Sequence, residues 1–185
     1  MNIFALSPVP EIAAKWHCDK HISKMVVESG QMLSTAHRIL DGKMDRRQSK
    51  SGKTMAKYWE LRDNREDVLY KAVHVGHPCT VWTMESHSNY KWHYQLFKSL
   101  CKEYTYRYNK IHLTEQVLLN ILKSPPQNIK KSFMTPFALA MGAEQDCIDH
   151  NDCIGSYQKF YQTKQKRFAM KWTKRETPHL SLIHI

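Results

Sequence analysis

The sequence contains no run of about 18 apolar residues, the length needed to span a bilayer as a helix. Its opening, Met1-Asn2-Ile3-Phe4-Ala5-Leu6 followed by Ser7-Pro8, is too short for the apolar core of a secretion signal. No membrane association is therefore expected. There are five cysteines, Cys18, Cys79, Cys101, Cys147 and Cys153. They are odd in number and lack a C-x-x-C pair, which argues against a disulfide framework or a cysteine-rich zinc site. Reduced thiols and a cytoplasmic location are expected instead. Gly52-Lys53-Thr54 ends like a phosphate-binding loop, but Arg47 occupies the position where that motif needs its first glycine. The H-E-x-x-H zinc motif is absent as well, because no Glu follows His17. No repeat, linker or low-complexity stretch divides the chain, and no segment alternates with period two.

Acidic residues are scarce relative to basic ones. Of 185 residues, 28 are Lys or Arg and 17 are Asp or Glu, a formal net charge of +11. A fold must tolerate that self-repulsion, and the usual reason is a polyanionic partner. Nucleic acid is the expected partner; double-stranded DNA in particular is what the resemblance described below implies. Hydrophobic residues make up 42%, which suits a globular chain of one domain.

The expected fold class is all-α, a compact single-domain helical bundle with short non-helical connections over residues 1–179. Residues 180–185, Leu-Ser-Leu-Ile-His-Ile, match the translation of a transposon-type sequencing adaptor and are set aside as non-native. Pro8 and Pro10 suit the first turn of a helix. Ile22, Met25, Val26, Ser29, Met32, Leu33, Ala36, Ile39 and Leu40 then recur at three- and four-residue steps, with Gly42 as the stop. Lys43 to Thr54, with Asp45-Arg46-Arg47-Gln48, reads as a mobile basic loop. Helices are predicted over Met55 to Arg62, Glu66 to Val75, Ser86 to Tyr108, Leu113 to Leu122 with Thr114 as cap, and Asp152 to Gln165. A short helical turn is predicted at Thr80 to Met84, and Gln127 to Gly142 is predicted to be a packed loop.

A second stripe lies beside the apolar one on the first long helix. His17, His21, Lys24, Glu28, Gln31, Thr35 and Arg38 fall at steps of three and four and so share a face. Such a face can be an ordinary solvated surface with i,i+4 pairs, or it can line a cleft. His17 and His21 have the spacing that lets two imidazoles meet one ion. A third ligand would have to come from His77, His87, His93 or Asp19, and neither a metal nor another cofactor is expected. His77-Pro78 with Trp82 reads as a turn that presents a histidine. In the tail, Lys164, Lys171, Trp172, Lys174 and Arg175, with Phe168, mix phosphate-neutralising cations with rings that can stack on a base or pack inward.

The segment His17-Cys18-Asp19-Lys20-His21-Ile22-Ser23-Lys24-Met25-Val26-Val27-Glu28, then Gln31-Met32-Leu33, resembles the N-terminal motif of the pyrimidine-dimer DNA glycosylases. That motif reads Leu-Asp-Asn-Lys-Arg-Leu-Gly-Lys-Gln-Arg-Val-Glu, then Leu-Gln-Ile-Leu, and the agreement falls at Lys20, Lys24, Val27 and Glu28. His77-Pro78, Trp82 and the helix from Tyr90 to Arg107 resemble the family's His-Pro…Trp segment. The likeness covers about the first 110 residues. Further wording, His-Cys-Asp-Lys-His and Glu-Tyr-Thr-Tyr-Arg-Tyr, is similar to uncharacterised proteins of large tailed phages, which implies a phage-infected bacterial cytoplasm.

The resemblance implies an all-α base-excision enzyme. In that family a terminal α-amine attacks the sugar C1′ as the base leaves, a Schiff base forms, and a Glu on the first long helix assists. Glu28 would be that Glu, with His21 seven residues before it. Three features depart from the motif. Asn follows the initiator Met, so Met1 is expected to stay and to carry the amine. His21 and Val26 replace motif arginines, and Ser23 replaces a glycine. From first principles, a carboxylate such as Glu28 stabilises the positive charge that develops on the sugar, and Lys24, one turn away, is another candidate amine.

The expected catalytic set is Glu28, His21, Lys24 and Met1. The expected nucleic-acid contacts are Lys20, Arg38, Arg46, Arg47, His77, Lys164, Lys171, Trp172, Lys174 and Arg175. The first functional reading is a DNA glycosylase, with or without abasic-site lyase activity, acting on damaged or modified bases. The alternatives are a non-catalytic nucleic-acid-binding accessory protein and a metal-dependent nucleotide hydrolase.

Overall fold

A computed structural model describes residues 1–49 and 51–181; Lys50 and residues 182–185, the larger part of the adaptor-like hexapeptide, lie outside the described residues. Six α-helices and one two-stranded sheet occur among the described residues, in the order α1 (Pro10–Trp16), α2 (Asp19–Asp41), β1 (Lys43–Gln48), β2 (Met55–Glu60), α3 (Pro78–Glu85), α4 (His87–Tyr108), α5 (Leu113–Leu118) and α6 (Cys153–Gln162). No helix among them is long and apolar enough to cross a membrane.

α2 and α4 pack against each other at the centre, with α1 against α4 and α3 against both. The N-terminal segment threads into this core rather than lying on it: Ile3, Ala5 and Leu6 are fully buried. Gly30 lets α5 approach α2, since a Cβ there would stand 2.8 Å from the Thr114 methyl and 3.0 Å from Leu118. α4 begins at Ser86, whose hydroxyl accepts from the Asn89 N–H, and ends at Asn109 in the left-handed conformation. The three- and four-residue steps predict a stripe of Tyr90, Tyr94, Phe97, Cys101, Tyr104 and Tyr108; the first four are buried, and Tyr104 and Tyr108 are half-buried.

The chain is mostly helical but not all-α. β1 and β2 form an antiparallel hairpin where the sequence predicts a basic loop and then a helix. Every residue of β1 is exposed and β2 is nearly so, so neither face is buried and no alternating pattern exists for sequence to reveal. The predicted helix over Glu66 to Val75 is irregular backbone. Its carbonyls are satisfied by a side chain: the Arg38 guanidinium donates to the backbone oxygens of Trp59, Glu66, Leu69 and Tyr70 and to the Glu66 carboxylate. α5 is shorter than predicted, continuing as a 3-10 turn at Ile121–Lys123. Its N-cap is His112, which accepts from the Thr114 N–H, whereas the Thr114 hydroxyl meets Tyr70. Residues 127 to 142 are a loop, as predicted, but only partly packed: Ile129, Phe137 and Met141 are buried while Phe133 is 93% exposed, and Trp82 of α3 and Tyr157 of α6 donate to the Thr135 and Ala138 carbonyls. Leu180 is buried, and its carbonyl accepts from Gln162 at 2.6 Å.

The polar stripe of the first helix is also revised. His17 is not on α2. The backbone is extended at His17 and Cys18, so His17 ends α1, fully buried, with its Nδ1 on the Ala13 carbonyl at 2.7 Å. Further along, Thr35 and Arg38 are buried beneath the 59–73 segment. Only the middle of the stripe, His21, Lys24 and Glu28, reaches a cavity.

Candidate active site

That cavity is an open cleft of roughly 660 Å³. One wall is the His21, Lys24 and Glu28 face of α2. The others come from Met1, Asn2 and Phe4, from His77-Pro78 at the start of α3, from residues 139–145, and from Phe160, Lys164, Arg167 and Phe168. All four residues expected to be catalytic from the sequence therefore line one cleft, although they come from two separate parts of the chain.

The N-terminus is held in place. The Asn2 backbone N–H donates to Glu28 Oε2 at 2.9 Å, and the Asn2 side chain donates to the Ala140 carbonyl at 2.8 Å while accepting from the Phe4 N–H at 2.9 Å. The Met1 sulfur accepts a weak bond from the Thr80 hydroxyl. These anchors set the Met1 α-amino nitrogen 3.7 Å from Glu28 Oε1, with Lys24 Nζ 3.5 Å from the same oxygen. Glu28 is largely buried, its side chain 13% exposed, whereas Lys24 is 60% exposed. One carboxylate thus faces two amines, one fixed and one free to move.

Phe4 has a φ of 40°, the left-handed region that a bulky residue avoids. Its ring stacks on His21 at 5.0 Å and on Phe160 at 5.8 Å, with Tyr161 edge-on at 5.1 Å. This aromatic floor is the part that sequence reasoning missed. Only the short apolar entry at Ile3 to Leu6 hinted at it, and nothing local links Phe4 to Phe160.

His21 is neutral near pH 7. Burial first, then the charges of His17, Lys24, Lys164 and Lys20, push its pKa down to about 3. Its tautomer follows from its neighbour. The Tyr161 hydroxyl accepts from the Cys18 N–H at 2.9 Å and meets His21 Nδ1 at 2.8 Å. Nδ1 is the one acceptor within reach of the buried phenol's own proton among these contacts, so donation from the phenol to Nδ1, with the imidazole proton on Nε2, satisfies both groups. In that form His21 is neutral and presents Nε2–H as a hydrogen-bond donor. His77 is held down similarly: burial, then the positive Met1 terminus and His74, lower its pKa, while Glu28 opposes them. Its Nδ1 accepts from the Cys79 N–H at the start of α3.

The cleft rim is basic. Lys20 and Arg167 are exposed, and Lys20 Nζ lies 4.4 Å over the Phe168 ring. Lys164 is buried, 3.4 Å over Phe160. Burial, then the nearby Arg167 charge, lowers its pKa. Lys171 is exposed near the start of α2, where its carbonyl takes the Asp19 N–H at 2.8 Å.

Comparison with known proteins yields no match: no family model, no curated protein and no solved structure resembles the chain at a significant level.

Several expected nucleic-acid contacts are committed to the fold. Arg38 is 1% exposed inside its carbonyl cage. Trp172 is buried and donates to the Trp16 carbonyl at 3.0 Å, so its ring packs inward and cannot stack on a base. Arg175 pairs with Glu103 at 2.9 Å, and Lys174 Nζ caps the Tyr106 carbonyl at the end of α4. Arg47 is neutralised by Glu60 at 2.6 Å and stacks on Tyr58. The sequence shows Arg38, Arg47, Lys174 and Arg175 as cations but cannot show that each already has an acceptor, nor that Trp172 packs inward.

The paired-histidine metal reading loses its geometry. His17 ends α1 and does not share a helix with His21, and no group of three His, Cys, Asp or Glu that could hold an ion occurs among the described residues.

Proposed function

We propose that the protein is a base-excision DNA glycosylase whose attacking group is the Met1 α-amine and whose proton carrier is Glu28. The observation that supports this most is the contact of the Glu28 carboxylate with that amine, 3.7 Å apart, in a cleft rimmed by cations. The resemblance at Lys20, Lys24, Val27 and Glu28 points the same way.

The proposed chemistry runs as follows. The neutral amine attacks the sugar C1′, and the C1′–base bond breaks with its electron pair leaving on the base, which takes up a proton. Glu28 accepts the proton that the new secondary ammonium loses. As the nitrogen lone pair forms the imine, O4′ departs from C1′ and receives that proton from Glu28. Positive charge on the sugar and nitrogen grows along this path, and the carboxylate beside it stabilises it more than it stabilises the starting state. The Nε2–H of His21 offers a donor to a sugar or phosphate oxygen. Lys20, Lys24 and Arg167 would neutralise the backbone on either side of the extruded nucleotide.

Borohydride trapping tests the reading. Full-length protein is incubated with duplexes carrying an abasic site, a pyrimidine dimer or an alkylated base, the imine is reduced, and the cross-linked peptide is mapped. The expected adduct is on the Met1 nitrogen. A cross-link to Lys24 or Lys164 would move the nucleophile within the same cleft. Binding to every duplex with no trapped adduct and no released base would leave a non-catalytic DNA-binding protein.

A further inference from the structure

We propose that the β1–β2 hairpin is a second DNA contact, seated in the major groove of a B-form duplex by the face that carries Arg46 and Lys57. The proposal rests on the nucleic-acid reading of the cleft and adds to it a separate element with its own groove.

The register divides the hairpin into two unlike faces. Residues directly opposite in an antiparallel pair share a face, so Lys43 and Glu60, Asp45 and Tyr58, and Arg47 and Ala56 line one side. On that side two carboxylates accompany the cations: Arg47 bonds Glu60, lies near Asp45 and stacks on Tyr58, and the Tyr58 hydroxyl reaches back to Glu66 in the body of the protein. The other side carries Met44 and Trp59, Arg46 and Lys57, and Gln48 and Met55. It bears no acidic residue, and neither Arg46 nor Lys57 has an ion pair among the described residues.

Two like charges directly opposite each other weaken a strand pair. This two-stranded sheet has no third strand and no buried face to offset that cost. Met44 and Met55 on the same side are 51% and 58% exposed. A face that combines unpaired cations with exposed flexible thioethers is poorly suited to water alone, and it matches a polyanion with apolar base edges.

The dimensions select the groove. The major groove of undistorted B-DNA, about 12 Å wide, admits a two-stranded ribbon, whereas the minor groove, about 6 Å wide, takes one only where the duplex is deformed. The deep, narrow major groove of A-form RNA would exclude it. The hairpin leaves α2 immediately after Gly42, 14 residues beyond Glu28, which is about 21 Å along the helix axis. At about 3.4 Å per base pair, that span corresponds to at most roughly six base pairs from the nucleotide in the cleft.

The test compares wild type with an Arg46→Ala, Lys57→Ala double variant and an Arg47→Ala control. Binding to a fluorescein-labelled 30-base-pair duplex is measured by anisotropy across a salt series. The double variant should bind about tenfold or more weakly, and its log–log salt slope should be shallower by about 2, one unit for each released phosphate contact. Its melting temperature should be unchanged or higher, because a repulsive pair has been removed. Arg47→Ala should bind nearly as wild type. On a duplex whose pyrimidines carry C5-propynyl groups in the major groove, wild type should fall to the level of the double variant. The double variant should still give borohydride adducts on a short abasic duplex, because the cleft is untouched. Equal affinity and slope for wild type and double variant would overturn the hairpin contact while leaving the cleft reading intact. So would a wild-type dimer in sedimentation that dissociates in the double variant, since the face would then pair with a second copy. Failure of wild type to bind any duplex would instead remove the cleft reading and the hairpin proposal together.

Discussion

Glu28 has more to hold than its neighbour on the helix. It accepts the Asn2 N–H and faces the Met1 and Lys24 amines, so Glu28→Gln keeps an acceptor for Asn2 while replacing the charged oxygen that faces the amines with a neutral NH2. Base release at saturating enzyme should be abolished, with DNA affinity unchanged or higher because a negative charge has left a phosphate-facing cleft. The stability cost should be about 1 kcal/mol. Wild-type base release in the Gln variant would end the glycosylase reading. Tyr161→Phe probes the floor of the same cleft. It orphans the Cys18 N–H and releases His21 Nδ1, at a cost of about 1–3 kcal/mol. The ¹⁵N shifts of His21 should report a mixed tautomer in the variant and an Nε2–H form in wild type; identical spectra would refute the assigned hydrogen-bond direction.

At the scale of elements, Arg38 does the work of a missing helix. A single guanidinium on α2 satisfies four backbone carbonyls of the 59–70 segment and the Glu66 carboxylate, so irregular backbone can lie against a helix without orphaned oxygens. Arg38→Ala should destabilise the fold by about 3–5 kcal/mol, as expected when a buried pair is broken and its partners are stranded. Chemical denaturation measures this, and a loss below 1 kcal/mol would mean that water replaces the guanidinium. The same element explains where the sequence pattern misled. The periodicity of Arg38 with Glu28 and His21 was legible, but their functions diverge because the 59–73 segment covers one end of the stripe and not the other.

Taken as a whole, the molecule buries histidines. Burial lowers His17 and His37 to about 4 and His21 and His93 to about 3. In the unfolded chain these groups titrate near 6.5. Between pH 6.5 and about 4 the unfolded state therefore binds more protons than the folded state. The stability these groups confer is full above 6.5 and is lost as pH falls through that window, at up to about 1.4 kcal/mol per pH unit for each. Melting temperatures should drop steeply from pH 7 to pH 5, and a flat profile would show that these rings are solvated. The net charge of +11 leads to the other whole-molecule expectation, a DNA affinity that falls steeply with salt. Replacing Lys20, Lys24 and Arg167 at the cleft rim should flatten that dependence more than replacing Lys174 and Arg175, which already have acceptors within the fold. An equal effect from both sets would place the duplex elsewhere on the surface.

Legible along the chain are the helical face of α2, the spacing of His21, Lys24 and Glu28, the buried Tyr90 to Cys101 part of the α4 stripe and the excess of positive charge. These depend on composition, residue order and helix period, which need no tertiary contact. The hairpin is not legible, because strands open on both faces leave no alternation, nor is the break at His17-Cys18. Packing alone sets which cations are spent on carbonyls and carboxylates of the fold and which remain at the cleft. It also brought Met1 to Glu28 across 27 residues and set Phe4 against Phe160. Those pairings arise from the packing of the N-terminal segment between α2, α3 and α6, and no local pattern in the chain encodes a contact between segments so far apart.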